Sequence, residues 1–116
     1  MNIINILNNL ICKKRGGFIF FGSNSSLSFI NCSMSNNYAE FEGSVVFGFE
    51  ETFLNVLNCT GVSNSVDVFG GVFYLYSFSS GTFENSYFSD NHAPAGGGVI
   101  YASVTCEVIV INCNMT

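Results

Sequence analysis

The side chains that could support catalysis are few and are scattered along the chain. The carboxylates are Glu40, Glu42, Glu50, Glu51, Asp67, Glu84, Asp90 and Glu107, and the single histidine is His92. The only cations are Lys13, Lys14 and Arg15, so no lysine or arginine follows Arg15. Acid–base chemistry on an acidic polysaccharide needs a carboxylate cluster with a basic partner. We therefore predict a non-enzymatic chain with no catalytic residue and no cofactor.

A metal site and a catalytic histidine are two further hypotheses, and ordinary turns explain the same residues. Glu40, Glu42 and Asp67 are close enough in the repeat described below to suggest a weak Ca²⁺ site. A solvated acidic turn explains the same residues, and we predict no metal site. His92 lies in the turn-forming segment Asn91–Pro94 with no serine or cysteine nucleophile suggested beside it, so we interpret it as a turn residue.

Composition excludes several classes of function. The formal net charge is −5 at pH 7 and only 9% of the 116 residues are charged, which argues against a nucleic-acid partner. A hydrophobic content of 48% argues against disorder. Asn, Ser and Gly interrupt every apolar stretch, so no transmembrane segment is predicted. The charges of residues 13–15 follow the apolar run of Met1–Cys12 rather than precede it, so no signal peptide is predicted.

A period of 27 residues organises the chain. Three markers recur at that spacing: an asparagine, a second asparagine, and a glycine pair or its equivalent. The markers are Asn31, Asn58, Asn85 and Asn112; Asn37, Asn64 and Asn91; and Gly16–Gly17, Gly43–Ser44, Gly70–Gly71 and Gly97–Gly98. Short runs rich in Val, Ile, Phe and Tyr between these markers favour strands over helices. The pattern predicts an all-β parallel β-helix of about four coils, in preference to a leucine-rich repeat, which needs several leucines at fixed offsets.

The same frame predicts which side chains point inward. Phe29, Val56, Phe83 and Val110 form one inward column, Leu27, Leu54, Gly81 and Val108 another, and Ile19, Val46, Phe73 and Ile100 a third. The asparagine and glycine markers, including Gly43, Gly70, Gly71, Gly97 and Gly98, are predicted to form the structural turns. Phe20, Phe47, Tyr74 and Tyr101 are predicted to form an outward aromatic column, in which Tyr74 and Tyr101 are candidate surface-binding residues.

The five cysteines leave two interpretations open. Cys32, Cys59 and Cys113 recur in one inward position, with Ser86 in the remaining copy. Cysteine in such a column is a small apolar filler. Stacked Cys32 and Cys59 are also close enough for a disulfide. The odd count leaves at least one thiol unpaired within the monomer.

Two motifs resemble a known family. Phe88–Ala93 has the letters FSDNHA, and Gly96–Tyr101 has GGGVIY. They resemble the paired FxxN and GGA(I/L/V) motifs of polymorphic outer membrane proteins, whose repeats form right-handed, pectin lyase-like β-helices. Met34 and Gly61 stand where the first motif has Phe, and Val replaces the usual Ala of the second. The resemblance covers residues 16–116 and implies a right-handed β-helix in a surface-exposed or secreted protein associated with adhesion.

The predicted organisation and function follow from these patterns together. Residues 1–15 are an irregular N-terminal segment or a degenerate first coil, and residues 16–116 are β-helix repeats truncated at the C-terminus, a fragment of a longer repeat protein. We expect a structural and adhesive segment of a cell-surface, outer-membrane or secreted protein, with a glycan or protein partner and with neighbouring coils of a longer chain. The alternative is a fragment of a carbohydrate-active β-helix enzyme whose catalytic coils are missing.

Overall fold

The computed structural model describes residues 6–8, 11–12 and 19–116, and these form β-strands joined by short corners without a helix. The strands are β1 (Ile6–Asn8), β2 (Ile11–Cys12), β3 (Ile19–Gly22), β4 (Ser26–Ile30), β5 (Ser33–Ser35), β6 (Tyr38–Ala39), β7 (Val46–Phe49), β8 (Phe53–Leu57), β9 (Thr60–Val62), β10 (Ser65–Val66), β11 (Phe73–Tyr76), β12 (Ser80–Glu84), β13 (Tyr87–Ser89), β14 (Ile100–Ser103), β15 (Glu107–Ile111) and β16 (Asn114–Met115).

The strands form four parallel sheets, which the chain visits in a fixed order. Sheet A contains β4, β8, β12 and β15, and sheet B contains β1, β5, β9, β13 and β16. Sheet C contains β2, β6 and β10, and sheet D contains β3, β7, β11 and β14. The chain runs from D through A and B to C and then begins the next coil. The predicted parallel β-helix is confirmed, with about three turns in the described residues.

Every strand pairing has a sequence offset of 27 residues. Ile19 pairs with Val46 in sheet D, and Leu27 pairs with Leu54 in sheet A. The N-terminal strands have the same offset, since Ile6 pairs with Ser33 and Ile11 with Tyr38. The other residues of the 1–15 segment, and Gly16 and Gly17, lie outside the described part. Equivalent side chains therefore stack directly above one another along the coil axis.

The core lies inside the coils and consists of the columns that the period predicts. Phe29, Val56 and Phe83 are fully buried, as are Val46 and Phe73 of the sheet D column. Val110 belongs to the same column as Phe83 but lies in the last coil and is 48% exposed. Burial of these columns supplies the main stabilisation, since each large apolar side chain contributes roughly 1.5–3 kcal/mol.

One core column places a glycine beside a phenylalanine of the next coil. The column contains Met34, Gly61, Phe88 and Met115. A Cβ atom on Gly61 would lie only 2.5 Å from Cδ1 of the Phe88 ring, which is fully buried. The ring therefore fills the space that the missing side chain of Gly61 leaves in the neighbouring coil.

Candidate binding surface

The corner between sheets B and C carries a buried ladder of asparagine side chains. Asn37 donates from Nδ2 to Oδ1 of Asn64, and Asn64 donates in the same way to Asn91, both at 2.9 Å. The same Oδ1 atoms accept the backbone N–H groups of Asn37 and Asn64, at 3.1 and 2.9 Å. Asn64 also donates to the carbonyl of Met34, and Asn91 to that of Gly61. The second asparagine marker thus satisfies buried backbone groups across three coils.

The other asparagine marker forms the corner between sheets A and B and is exposed. Asn31, Asn58, Asn85 and Asn112 all have a left-handed backbone, with φ between 50° and 56°. Asparagine tolerates this conformation better than most residues. In the last two coils Asn112 donates from Nδ2 to Oδ1 of Asn85 at 2.7 Å.

Glycine forms the corner between sheets C and D. Gly43, Gly70 and Gly97 have φ of 61°, 66° and 66°. A Cβ atom on Gly71 would lie 1.9 Å from the carbonyl oxygen of Gly98, so a side chain cannot fit between these coils. The left-handed conformation favours glycine at the first position of this corner, and close backbone packing requires it at Gly71, whereas Ser44 fills the equivalent second position in the preceding coil.

Two further columns combine hydroxyl and thiol groups. Cys59 Sγ donates to the carbonyl of Leu57 at 3.2 Å, and Ser86 Oγ makes the equivalent bond to Glu84 at 2.9 Å. No disulfide joins Cys32 to Cys59. Burial raises the pKa of Cys59 to about 11.

Sequence reasoning missed the second of these columns, which contains Ser25, Thr52, Ser79 and Cys106. Ser25 and Ser79 donate to the carbonyl three residues earlier, at 2.6 and 2.8 Å, and Cys106 does so at 3.1 Å. Thr52 Oγ1 donates to Ser79 Oγ at 2.8 Å. The 27-residue spacing of these small residues is the sequence signal from which the column could have been predicted.

The outer face of sheet D carries the aromatic column. The rings of Phe47 and Tyr74 stack with centroids 4.9 Å apart and planes 10° apart, and Tyr74 stacks on Tyr101 at 5.1 Å and 19°. The side chain of Phe20 is outside the described part. Tyr74 is only 8% exposed, and Tyr101 is half-buried. The ring faces of Tyr74 are occupied by its neighbours and are not open to a ligand.

More aromatic rings flank this column. Phe69 lies 4.5 Å from Tyr101 and 6.4 Å from Tyr74, measured between ring centroids. Tyr76 lies 6.4 Å from Tyr74 and is 41% exposed, as the strand turns into the next corner. Strands β3, β7, β11 and β14 contain no charged residue. Sheet D therefore presents ring edges and hydroxyls on an uncharged surface.

The acidic residues weighed as a Ca²⁺ site do not converge. Tyr38 donates its hydroxyl to Asp67 Oδ2 at 2.6 Å, and this bond raises the pKa of Tyr38. Glu42 forms a parallel bridge with Phe69. No group of three or more His, Cys, Asp or Glu side chains suited to a metal occurs in the described residues. His92 is exposed and forms a parallel bridge with Ser65, so it continues sheet C, and the turn of this segment lies at Pro94 and Ala95 rather than at His92.

The corner between sheets D and A contains a groove that sequence reasoning also missed. Two consecutive residues in each coil have a left-handed backbone: Ser23–Asn24, Glu50–Glu51, Ser77–Phe78 and Val104–Thr105. The first three pairs line an open groove of about 330 Å³, which we name the D–A groove. No residue type is common to all four pairs, although two of them begin with serine, so only their spacing could have revealed the corner.

Comparisons with known proteins identify no relative: no family model, curated protein or solved structure matches the chain. The fold defines the chain as a parallel β-helix. Within the described residues, no helix has the length and apolar character needed to cross a bilayer.

Proposed function

We propose that the chain is a non-enzymatic structural and adhesive segment of a cell-surface or secreted protein. The observation that carries this proposal is the strict 27-residue register, which fixes the outward side chains in rows on a rigid support. Stacked repeats of this kind provide extended binding surfaces. The family resemblance of Phe88–Ala93 and Gly96–Tyr101 supports the same location and role.

The distribution of titratable groups also supports a non-enzymatic role. No lysine or arginine follows Arg15, so the carboxylates of the repeats have no lysine or arginine among residues 19–116 as a partner in acid–base catalysis. The exposed aromatic residues Phe53, Tyr76, Phe78 and Tyr87 instead offer contact area for a partner.

Adhesion is tested by immobilising the chain and measuring the retention of suspended bacterial, yeast and animal cells. We expect retention of at least one cell type, and its loss when Val56→Asp places a charge in the core. Asn55→Asp is the matched control, because Asn55 is the adjacent residue of β8 and faces outward.

Two results would contradict the proposal. One is the absence of retention for every cell type while the protein is folded by circular dichroism. The other is the appearance of new reducing ends or unsaturated products from polysaccharides incubated with the chain, which would favour the carbohydrate-active enzyme.

A further inference from the structure

The D–A groove is held rigidly by bonds between coils. Backbone N–H groups of its corner residues donate to carbonyls of the next coil, from Asn24 to Glu50 at 3.1 Å, from Glu51 to Ser77 at 3.0 Å and from Phe78 to Val104 at 2.9 Å. A preformed site of this kind loses little conformational entropy when a ligand binds.

The groove retains side chains where glycine would be less strained. The corner between sheets C and D has the same left-handed backbone and uses Gly43, Gly70 and Gly97. The D–A corner contains no glycine at its left-handed positions, and Phe78 has a φ of 58°. Its ring is nevertheless 61% exposed, so burial does not explain its presence. Strain without a packing benefit is a feature of functional positions.

The chemistry of the lining combines polar groups with one aromatic face. Glu50 and Glu51 supply carboxylate acceptors, Asn24 an amide, and Ser23 and Ser77 hydroxyls. Ser23 Oγ donates to Glu50 Oε2 at 3.0 Å and so orients that carboxylate. The Phe78 ring offers an apolar surface beside these groups.

We propose that the D–A groove binds a neutral sugar unit of a glycan. Sugar hydroxyls would donate to the carboxylates and exchange hydrogen bonds with Asn24 and the serines, while the apolar face of the sugar ring packs on Phe78. The volume of about 330 Å³ suits one sugar unit rather than a longer chain. The two carboxylates disfavour acidic sugars. This inference rests on the proposed adhesive function and names its ligand class.

Binding is measured by nitrogen–proton NMR titration of the intact chain with lactose, methyl α-mannoside and, separately, spermidine. We expect at least one of the two sugars to shift the amide signals of Glu51, Ser77 and Phe78, with a Kd on the order of 1 mM. The proposal is overturned if neither sugar shifts these signals. It is also overturned if spermidine alone does so, which would assign the groove to cations.

Variants separate the groove from the rest of the surface. Phe78→Ala is expected to raise the Kd about fivefold or more, and Phe78→Tyr to leave it within about twofold, because the ring is retained. Phe41→Ala is the matched control, since Phe41 is also exposed but lies outside the groove. An unchanged Kd in Phe78→Ala overturns the proposal.

A second substitution tests the role of the carboxylates and keeps the proposal testable if Phe78→Ala does not fold. Glu51→Gln replaces a charged acceptor with a neutral amide, which still forms hydrogen bonds but weaker ones. We therefore expect a partial loss of sugar affinity that salt does not affect. No loss in this variant counts against the groove. Cell retention that persists after both groove substitutions overturns the sugar site alone, whereas a failure of the unsubstituted chain to retain cells overturns the adhesive function.

Discussion

Individual buried polar atoms determine how the coils stack. Cys59 and Ser86 make the same bond to a carbonyl two residues earlier, and Cys106 takes the position that Ser79 has in the preceding coil. The thiol therefore substitutes for a hydroxyl as a small donor in these columns. The sequence predicted a filler role for Cys32 and Cys59, but not these hydrogen bonds, because the carbonyl partner depends on the direction of each corner.

The buried thiol of Cys59 predicts a dependence of stability on alkaline pH. Its pKa is raised from 9.0 to about 11 in the folded chain, because burial disfavours the thiolate. The folded state binds the proton more tightly than the unfolded state, so this stability is present below pH 9 and is lost between about 9 and 11. The loss is at most about 3 kcal/mol. Urea denaturation across this pH range measures it.

Cys59→Ser is the control for this dependence. Serine does not titrate, and Ser86 shows that a hydroxyl fits this column. The difference in unfolding free energy between the variant and the unsubstituted chain should change only above pH 9. A difference that is constant with pH would contradict the assignment to Cys59, since every other ionisable group is present in both proteins.

Asn64 is predicted to be the most sensitive residue of the buried ladder. Asn64→Ala removes the acceptor of both Asn37 donors in a buried site, whereas Asn91 Oδ1 still accepts the backbone N–H of residue 64, and we expect a loss of about 3 kcal/mol. Asn55→Ala, on the outer face of sheet A, should change stability by less than about 0.5 kcal/mol. Equal midpoints of urea denaturation for the two variants would show that the ladder contributes little.

At the scale of the element, sheet D shows both the reach and the limit of sequence reasoning. The alternation of residues correctly identified Val46 and Phe73 as inward. Tyr74 was expected to offer a ring for binding, but parallel in-register stacking turns the ring faces toward each other. Periodicity predicts the column, whereas the tilt of the rings depends on side-chain rotamers and on flanking residues such as Phe69.

The stacked column makes Tyr74 a stabilising residue. Tyr74→Ala removes a ring that is 92% covered and two stacking contacts, so we expect a loss of about 3 kcal/mol. Tyr74→Phe keeps the ring and should lose less than about 1 kcal/mol. Phe53→Ala removes a ring that is 45% exposed and should have a smaller effect. Thermal unfolding followed by circular dichroism ranks the stabilities of the three variants. Equal losses for Tyr74→Ala and Phe53→Ala would refute the stabilising role of the stacked ring.

At the scale of the molecule, the 27-residue frame predicted the fold and its core. The markers lie at corners, and their residue type predicts this position because asparagine and glycine tolerate left-handed backbones. The D–A groove could not be predicted in this way. Serine, glutamate, phenylalanine, valine and other types occupy its left-handed positions, and their shared conformation results from the backbone bonds between coils.

The frame predicts different tolerances for inserted residues. A glycine inserted between Asn55 and Val56 shifts the rest of β8 by one position, so that inward and outward faces exchange. We expect this variant to lose cooperative unfolding. A glycine inserted between Glu50 and Glu51 lengthens only a corner and should cost about 1 kcal/mol. Circular dichroism melts compare the two; a cooperative transition in the β8 variant would contradict the stacked-register account.

The pairing of Gly61 with Phe88 has a consequence for how such a chain can grow. Tandem duplication is the simplest way to lengthen a repeat gene, and the strict period makes it look unrestricted. In a duplicated copy of residues 62–88, however, a second phenylalanine in the same rotamer would direct its ring at the Cβ atom of Phe88, the contact that Gly61 avoids. The coils are therefore not interchangeable modules: lengthening requires a glycine-bearing and a phenylalanine-bearing coil to be copied together, or a compensating change in the new one.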